Sequence, residues 1–230
     1  MSDHITMNTF TDPRVLNIFT DASIYKNGDE YISSHGFYSP TTNESKVEVV
    51  RDSSNNRGEL MGIRDALAYG LSKRNEYLQV NIWSDSLYSV KSICEWFPSW
   101  YMHNTDGILR NNNGQEISNQ DLLRVIVDLI LTNNFRVNII HQRGHINEKV
   151  SIKDAVYSFK VANKMIIDNE AMKNAAICNQ IIDEMTRNQF LISNVLEIPI
   201  YVHPMQFLFW RYMDINRYLI LTRKTGDLDF

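Results

Sequence analysis

The sequence predicts a mixed α/β fold, and three observations predict it. Apolar runs of strand length alternate with segments whose apolar residues recur every three or four positions. The first three strand-like runs follow one another with only turn residues between them, which suits an antiparallel meander. The later runs come after helices, which can carry the chain back so that those strands lie parallel to the first.

The first run, Val15 to Tyr25, contains Val15, Leu16, Ile18 and Phe19, and is too short for an ordinary helix. Tyr31 to Ser39 and Ser45 to Arg51 are the next two strands, with Pro40 and Asn43 in the turn between them. Asn55 to Leu71 reads as a helix, because Leu60, Ile63, Leu67 and Leu71 share a face; Asn55 or Asn56 suits its N-cap. Leu78 to Trp83 alternates as a strand, and a helix follows with Leu87, Val90, Lys91 and Cys94 on one side. Phe97 to Asn119 reads as irregular, Asn119 to Thr132 as a helix and Phe135 to His141 as a fifth strand. A helix over about Val161 to Thr186 closes the domain.

Composition narrows the class. With 43% hydrophobic and 22% charged residues the 230-residue chain can build a sizeable core, and its net charge of −4 advertises no nucleic acid by bulk electrostatics. Cys94 and Cys178 have no metal-ligand spacing and read as reduced core thiols of an intracellular, cytoplasmic protein. The N-terminal residues lack the apolar centre of a signal peptide, and no apolar stretch is long enough to span a membrane. A soluble monomer with no membrane partner is expected. The expected division is a flexible 1–14, a catalytic domain over 15–187 and an extension over 188–230.

The acids carry the chemistry. Asp21 lies on the first strand, Glu59 one turn into the first helix, and Asp85 at the end of the fourth strand. Neighbouring parallel strands present the same ends to one sheet edge, where ligand sites of open α/β sheets gather. Three carboxylates held together raise one another's pKa. Two Mg²⁺ ions remove that penalty and supply the machinery for in-line displacement at phosphorus.

Four segments in order, IFTDAS, NNRGELMGIRDAL, VNIWSDSLYSV and RGH, resemble the signature of the type 1 ribonuclease H family over about Leu16 to Ala176. The resemblance implies a ribonuclease H-like fold with a mixed five-stranded sheet flanked by helices. It also implies a Mg²⁺-dependent endonuclease, with Mn²⁺ as a possible substitute, that cuts the RNA strand of RNA–DNA hybrids and leaves 5′-phosphate and 3′-hydroxyl ends. By the same resemblance Asp21, Glu59 and Asp85 match three of its four metal-binding acids, and His145 its loop histidine. Asn27, Asn55 and Asn56 fall where the family contacts the hybrid, and Ser54 where a hydroxyl helps hold a DNA phosphate.

The fourth acid of the family follows an Asn after three residues, at the start of the last helix. ANKMIIDNEAMKNAAI resembles the retroviral form of that helix with one extra residue between Asn163 and Asp168, which makes Asp168 the expected fourth ligand. The alternative register from Asn169 puts Lys173 in the acid's place, and a domain without the fourth acid would be a hybrid-binding module with weak or no activity. A third reading, a fold relative acting on DNA, is disfavoured by the Asn55-to-Glu59 element.

Two departures stand out. Leu87 occupies a position that is often a polar RNA-contacting residue in the family. The segment Glu95 to Asn119, often strongly basic there, has Arg110 as its one Lys or Arg. Trp96 is expected to pack inward. In the extension, Leu208, Tyr212, Ile215 and Leu219 recur at helical spacing, and Arg211, Arg217, Arg223 and Lys224 interleave with aromatics. That pattern fits a helix packed on the catalytic domain, or a further contact to nucleic acid or protein.

Overall fold

The computed structural model describes residues 10–51, 53–102, 106–146 and 149–196. The expected helix around Leu208 to Leu219 lies outside them. Five strands, β1 (Val15–Asn27), β2 (Glu30–Ser39), β3 (Glu44–Arg51), β4 (Gln79–Ser84) and β5 (Arg136–His141), form one sheet in the order β3-β2-β1-β4-β5. The β1–β2 and β2–β3 pairs are antiparallel; β1–β4 and β4–β5 are parallel. This is the mixed sheet expected from the order of elements, because helices supply the crossovers only after β3.

Alternation along the strands sends side chains into two cores. Leu16, Ile18, Val80 and Ile82 pack with Leu60, Ile63 and Leu67 of α1 (Asn55–Ser72) and with Leu123 and Ile126 of α4 (Gln120–Thr132). Each fully buried Leu or Ile contributes on the order of 1.5–3 kcal/mol relative to exposure. On the other face Phe19, Trp83 and Phe159 stack, with centroids 5.3 and 5.7 Å apart, among residues of α5 (Ile152–Asn163) and α6 (Asn169–Leu196).

A line of amides crosses this second face. Asn17, Asn81 and Asn138 are direct partners across β1, β4 and β5. Asn17 Oδ1 accepts from Asn81 Nδ2 at 3.3 Å and from Trp83 Nε1 at 3.0 Å, and Asn81 Oδ1 accepts from Asn138 Nδ2 at 2.9 Å. A one-residue slip would break all of these bonds in a buried setting, so the ladder fixes register as well as satisfying polar groups.

Several boundaries differ from expectation. Ser54, not Asn55 or Asn56, caps α1, its Oγ accepting from Arg57 N at 3.2 Å. After α2 (Leu87–Lys91) comes a π-helical turn, Ser92–Trp96, then α3 (Phe97–Met102) where irregular chain was expected. Trp96 is 36% exposed, against Tyr88 and Trp100, rather than packed in the core. Cys178 is buried, but Cys94 is exposed. The expected Val161–Thr186 helix is two helices, broken where Lys164 turns left-handed at φ 54°. α6 runs on to Leu196, past the expected division at 187/188. No helix among the described residues is long and apolar enough to cross a membrane.

Candidate active site

α1 carries Glu59 to the sheet because glycines let it lie close. A Cβ on Gly62 would stand 3.2 Å from the Gly36 carbonyl and 3.5 Å from that of Asp21, so the helix backbone nearly touches β1 and β2. Asp85 follows β4, which lies parallel to β1 with Thr20 opposite Ser84. The result is that Asp21, Glu59 and Asp85 each offer an oxygen within 4.8 Å of the others. Asp21 and Glu59 are 5% and 4% exposed, and Glu59 Oε2 has no hydrogen-bond partner.

Charge crowding follows. Burial first, then Glu59, Asp85 and Asp183, push the Asp21 pKa well above its ordinary value, against a bond from the Ala22 amide. Burial and the Asp85 and Asp183 charges do the same to Glu59. Asp85 is raised by burial and Asp183, while Asn179 and His145 pull it back. Buried carboxylates with an orphaned oxygen and no Lys or Arg among these causes fit a hard divalent cation, which takes oxygen ligands.

The fourth acid near this group is Asp183, and Asp168 is elsewhere. Asp168 is exposed at the start of α6, where its Oδ1 accepts from Ala171 N at 2.7 Å and caps the helix. Asp183 lies fifteen residues further along, between Asn179 and Thr186 on one helical face. Asn179 Nδ2 donates to Asp85 Oδ2 at 3.4 Å. Thr186 Oγ1 lies 3.4 Å from Asp21 Oδ2, 2.9 Å from the Asp183 carbonyl and 3.2 Å from Ser23 Oγ. Asn179 to Asp183 is itself an Asn, three residues, then Asp, with no insertion. That spacing was the signal for the residue missed. Asn163, taken as the family's Asn, instead pairs with the His141 backbone, its Oδ1 accepting at 2.9 Å and its Nδ2 donating at 2.7 Å.

His145 is exposed in the loop after β5, with a left-handed φ of 53°. With Arg143, Asn179, Gln180 and Asp183 it lines a small cavity beside the acids. In the same loop a Cβ on Gly144 would come 2.5 Å from Asp85 Oδ2. Ser54, Asn55 and Asn56 are exposed at the N-terminal end of α1, within two turns of Glu59. Asn27 ends β1 six residues beyond Asp21, about 20 Å along an extended strand. Arg57 does not face this rim freely: Asp121 accepts from both of its terminal nitrogens at 3.0 and 2.7 Å. Arg110 is likewise held by Asp106 at 2.6 and 2.8 Å.

Comparison with known proteins agrees with this geometry. The chain is 28% identical over 132 residues to a ribonuclease H of Schizosaccharomyces pombe, covering 56% of this chain and 46% of that protein. It is 26% identical over 99 residues to a ribonuclease H of Syntrophomonas wolfei, covering 43% of this chain and 62% of the relative. In each case less than two thirds of the relative is spanned. The fold is shared with the prototype foamy virus protease-reverse transcriptase, at a TM-score of 0.51 and 14% identity, over 74% of this chain and 20% of that one. The RNase H family model matches residues 13–155, more than half of the sequence, and the chain therefore belongs to the RNase H family.

Proposed function

We propose that this protein hydrolyses the RNA strand of RNA–DNA hybrids, with divalent cations held by Asp21, Glu59, Asp85 and Asp183. The observation that carries the reading is the gathering of Asp21, Glu59 and Asp85 at one sheet edge, with Asp183 beside them, in a chain of this family. Two bound Mg²⁺ ions, with Mn²⁺ as a substitute, would supply the positive charge that binds the scissile phosphate and lowers the pKa of the attacking water.

The chain's own residues do the rest. Asn179 and Thr186 orient the Asp85 and Asp21 carboxylates from α6. Asn55 and Asn56 present amides at the rim, able both to donate to and to accept from a ribose 2′-hydroxyl, the group that separates RNA from DNA. Ser54 accepts from Arg57 N and still has its own proton to give to a DNA phosphate. The family resemblance makes Asn27, at the end of β1, a further candidate contact to the hybrid. Water adds to phosphorus, the P–O3′ bond breaks, and His145 relays protons from an exposed loop. The products are a 5′-phosphate and a 3′-hydroxyl. With Arg57 and Arg110 tied to carboxylates, few cations are left to neutralise phosphates, so hybrid binding is weak and its dependence on salt shallow.

The test is cleavage of end-labelled RNA–DNA, RNA–RNA and DNA–DNA duplexes with Mg²⁺ and with EDTA. Cleavage of only the hybrid's RNA strand, abolished by EDTA, is expected. Binding of the hybrid without cleavage, or cutting of duplex DNA, would overturn the proposal.

A further inference from the structure

A second group of metal-ligating side chains lies on the opposite face of the sheet from Asp21. His35 of β2, Glu48 of β3 and Asp65 of α1 each offer a ligand atom within 4.8 Å of the others. His35 is fully buried, and neither ring nitrogen has a hydrogen-bond partner. A buried imidazole in that state has lost its water without gaining a partner, which is costly unless something else binds it. Its Nε2 stands 3.6 Å from Asp65 Oδ2 and 3.8 Å from Glu48 Oε2, too far for good hydrogen bonds. Those gaps are close to the edge of a coordination polyhedron. Two ligands about 2.0–2.1 Å from zinc at the tetrahedral angle are about 3.4 Å apart.

The remaining carboxylate oxygens are already in use. Arg64 Nε and one terminal nitrogen bind Asp65 Oδ1 at 2.8 and 2.6 Å, and Lys46 Nζ binds Glu48 Oε1 at 2.7 Å. One oxygen of each acid is thus tethered while the other faces His35, the arrangement by which outer-shell partners orient monodentate ligands. Lys46 Nζ also lies 3.4 Å from Asp65 Oδ2. It is 44% exposed on a flexible stem and can leave that oxygen while staying on Glu48.

We propose that His35, Glu48 and Asp65 form a structural site for one transition-metal dication of the zinc class, with solvent at the open position beside half-exposed Glu48. One imidazole and two carboxylates suit Zn²⁺, Co²⁺ or Mn²⁺ better than Mg²⁺. The ion ties edge strand β3 to β2 and α1. It also braces the active site from behind, since Gly36, next to His35, pairs with Asp21, and Asp65 shares a helix with Glu59.

Co²⁺ serves as the spectroscopic probe, titrated into the full chain carrying Cys94→Ser, so that the exposed thiol does not compete. Visible d–d bands saturating at one equivalent are expected, persisting when Asp21→Asn disables the other acidic cluster and when Mg²⁺ is in large excess. They should vanish in His35→Gln and in Glu48→Gln. The second variant changes a half-exposed strand residue and keeps the test valid if the first fails to fold. Zn²⁺ should raise the thermal midpoint of wild type and not of Glu48→Gln. Absence of d–d bands in wild type, or bands that survive Glu48→Gln, would overturn the proposal.

Discussion

Gly144→Ala probes how closely the loop after β5 is fitted to the acid cluster. The new methyl carbon would sit 2.5 Å from Asp85 Oδ2, whereas an ordinary carbon–oxygen contact needs about 3.4 Å. The loop and the carboxylate must therefore part by about 0.9 Å. Asp85 cannot yield freely, because Asn179 Nδ2 donates to the same oxygen. A misplacement of about 1 Å in a catalytic constellation can cost about 10²-fold in rate, or about 2.7 kcal/mol in the barrier. Single-turnover cleavage of a labelled hybrid over a Mg²⁺ titration should show that loss, with thermal unfolding run in parallel to confirm the fold. A folded Gly144→Ala variant with wild-type turnover would refute the reasoning.

Other outcomes follow from the same structure. Asp21 is raised in the folded protein, so its ionisation opposes folding: stability is greatest below about pH 4, the unfolded value, and is lost as pH rises through the raised folded value. Asp21→Asn should hence raise the melting temperature of the metal-free protein at pH 8 but not at pH 3.5, a contrast read by calorimetry. His145→Ala should slow turnover about 10- to 10²-fold without abolishing it, because the side chain is exposed and outside the carboxylate group; loss as complete as in Asp21→Asn would make it essential. Asn17→Ala leaves Asn81 Nδ2 and Trp83 Nε1 without their shared acceptor and should cost about 2–4 kcal/mol in denaturant unfolding. A change below about 0.5 kcal/mol would remove the ladder's role in stability.

Much of this architecture was legible in the amino-acid order. β1 to β5, α1 and α4 announce themselves by alternation or helical spacing, and Asp21, Glu59 and Asp85 by their place on the first strand, near the start of the first helix and just after the fourth strand. The fourth carboxylate was harder for a physical reason. The chain turns at Lys164 in a left-handed conformation without Gly or Pro to signal it, so VANKMIIDNEAM reads as uninterrupted helix. Counting the family's Asn, three residues and Asp from Asn163, with one extra residue, then selects Asp168. In the folded chain Asp168 begins a new helix, and the Asn179–Asp183 pair sits about three to four turns into it. Asn17 and Asn81 were also opaque, because a polar residue in a strand ordinarily marks the solvent face. Here each is buried, and the bonds that join them across the sheet come from residues more than fifty positions away in the sequence. His35 is similar: nothing in its local sequence places it against Glu48 and Asp65.

The assignment of the fourth acid decides the account most directly. The measurement is the single-turnover rate of RNA-strand cleavage by Asp183→Asn and Asp168→Asn on one hybrid at saturating Mg²⁺. Asp168→Asn keeps a side chain that caps a helix about as well, so it should stay within about threefold of wild type. Asp183→Asn removes a carboxylate from beside Asp21, Glu59 and Asp85 and should lose at least about 10³-fold. Wild-type turnover in Asp183→Asn, with Asp168→Asn inactive, would contradict the account.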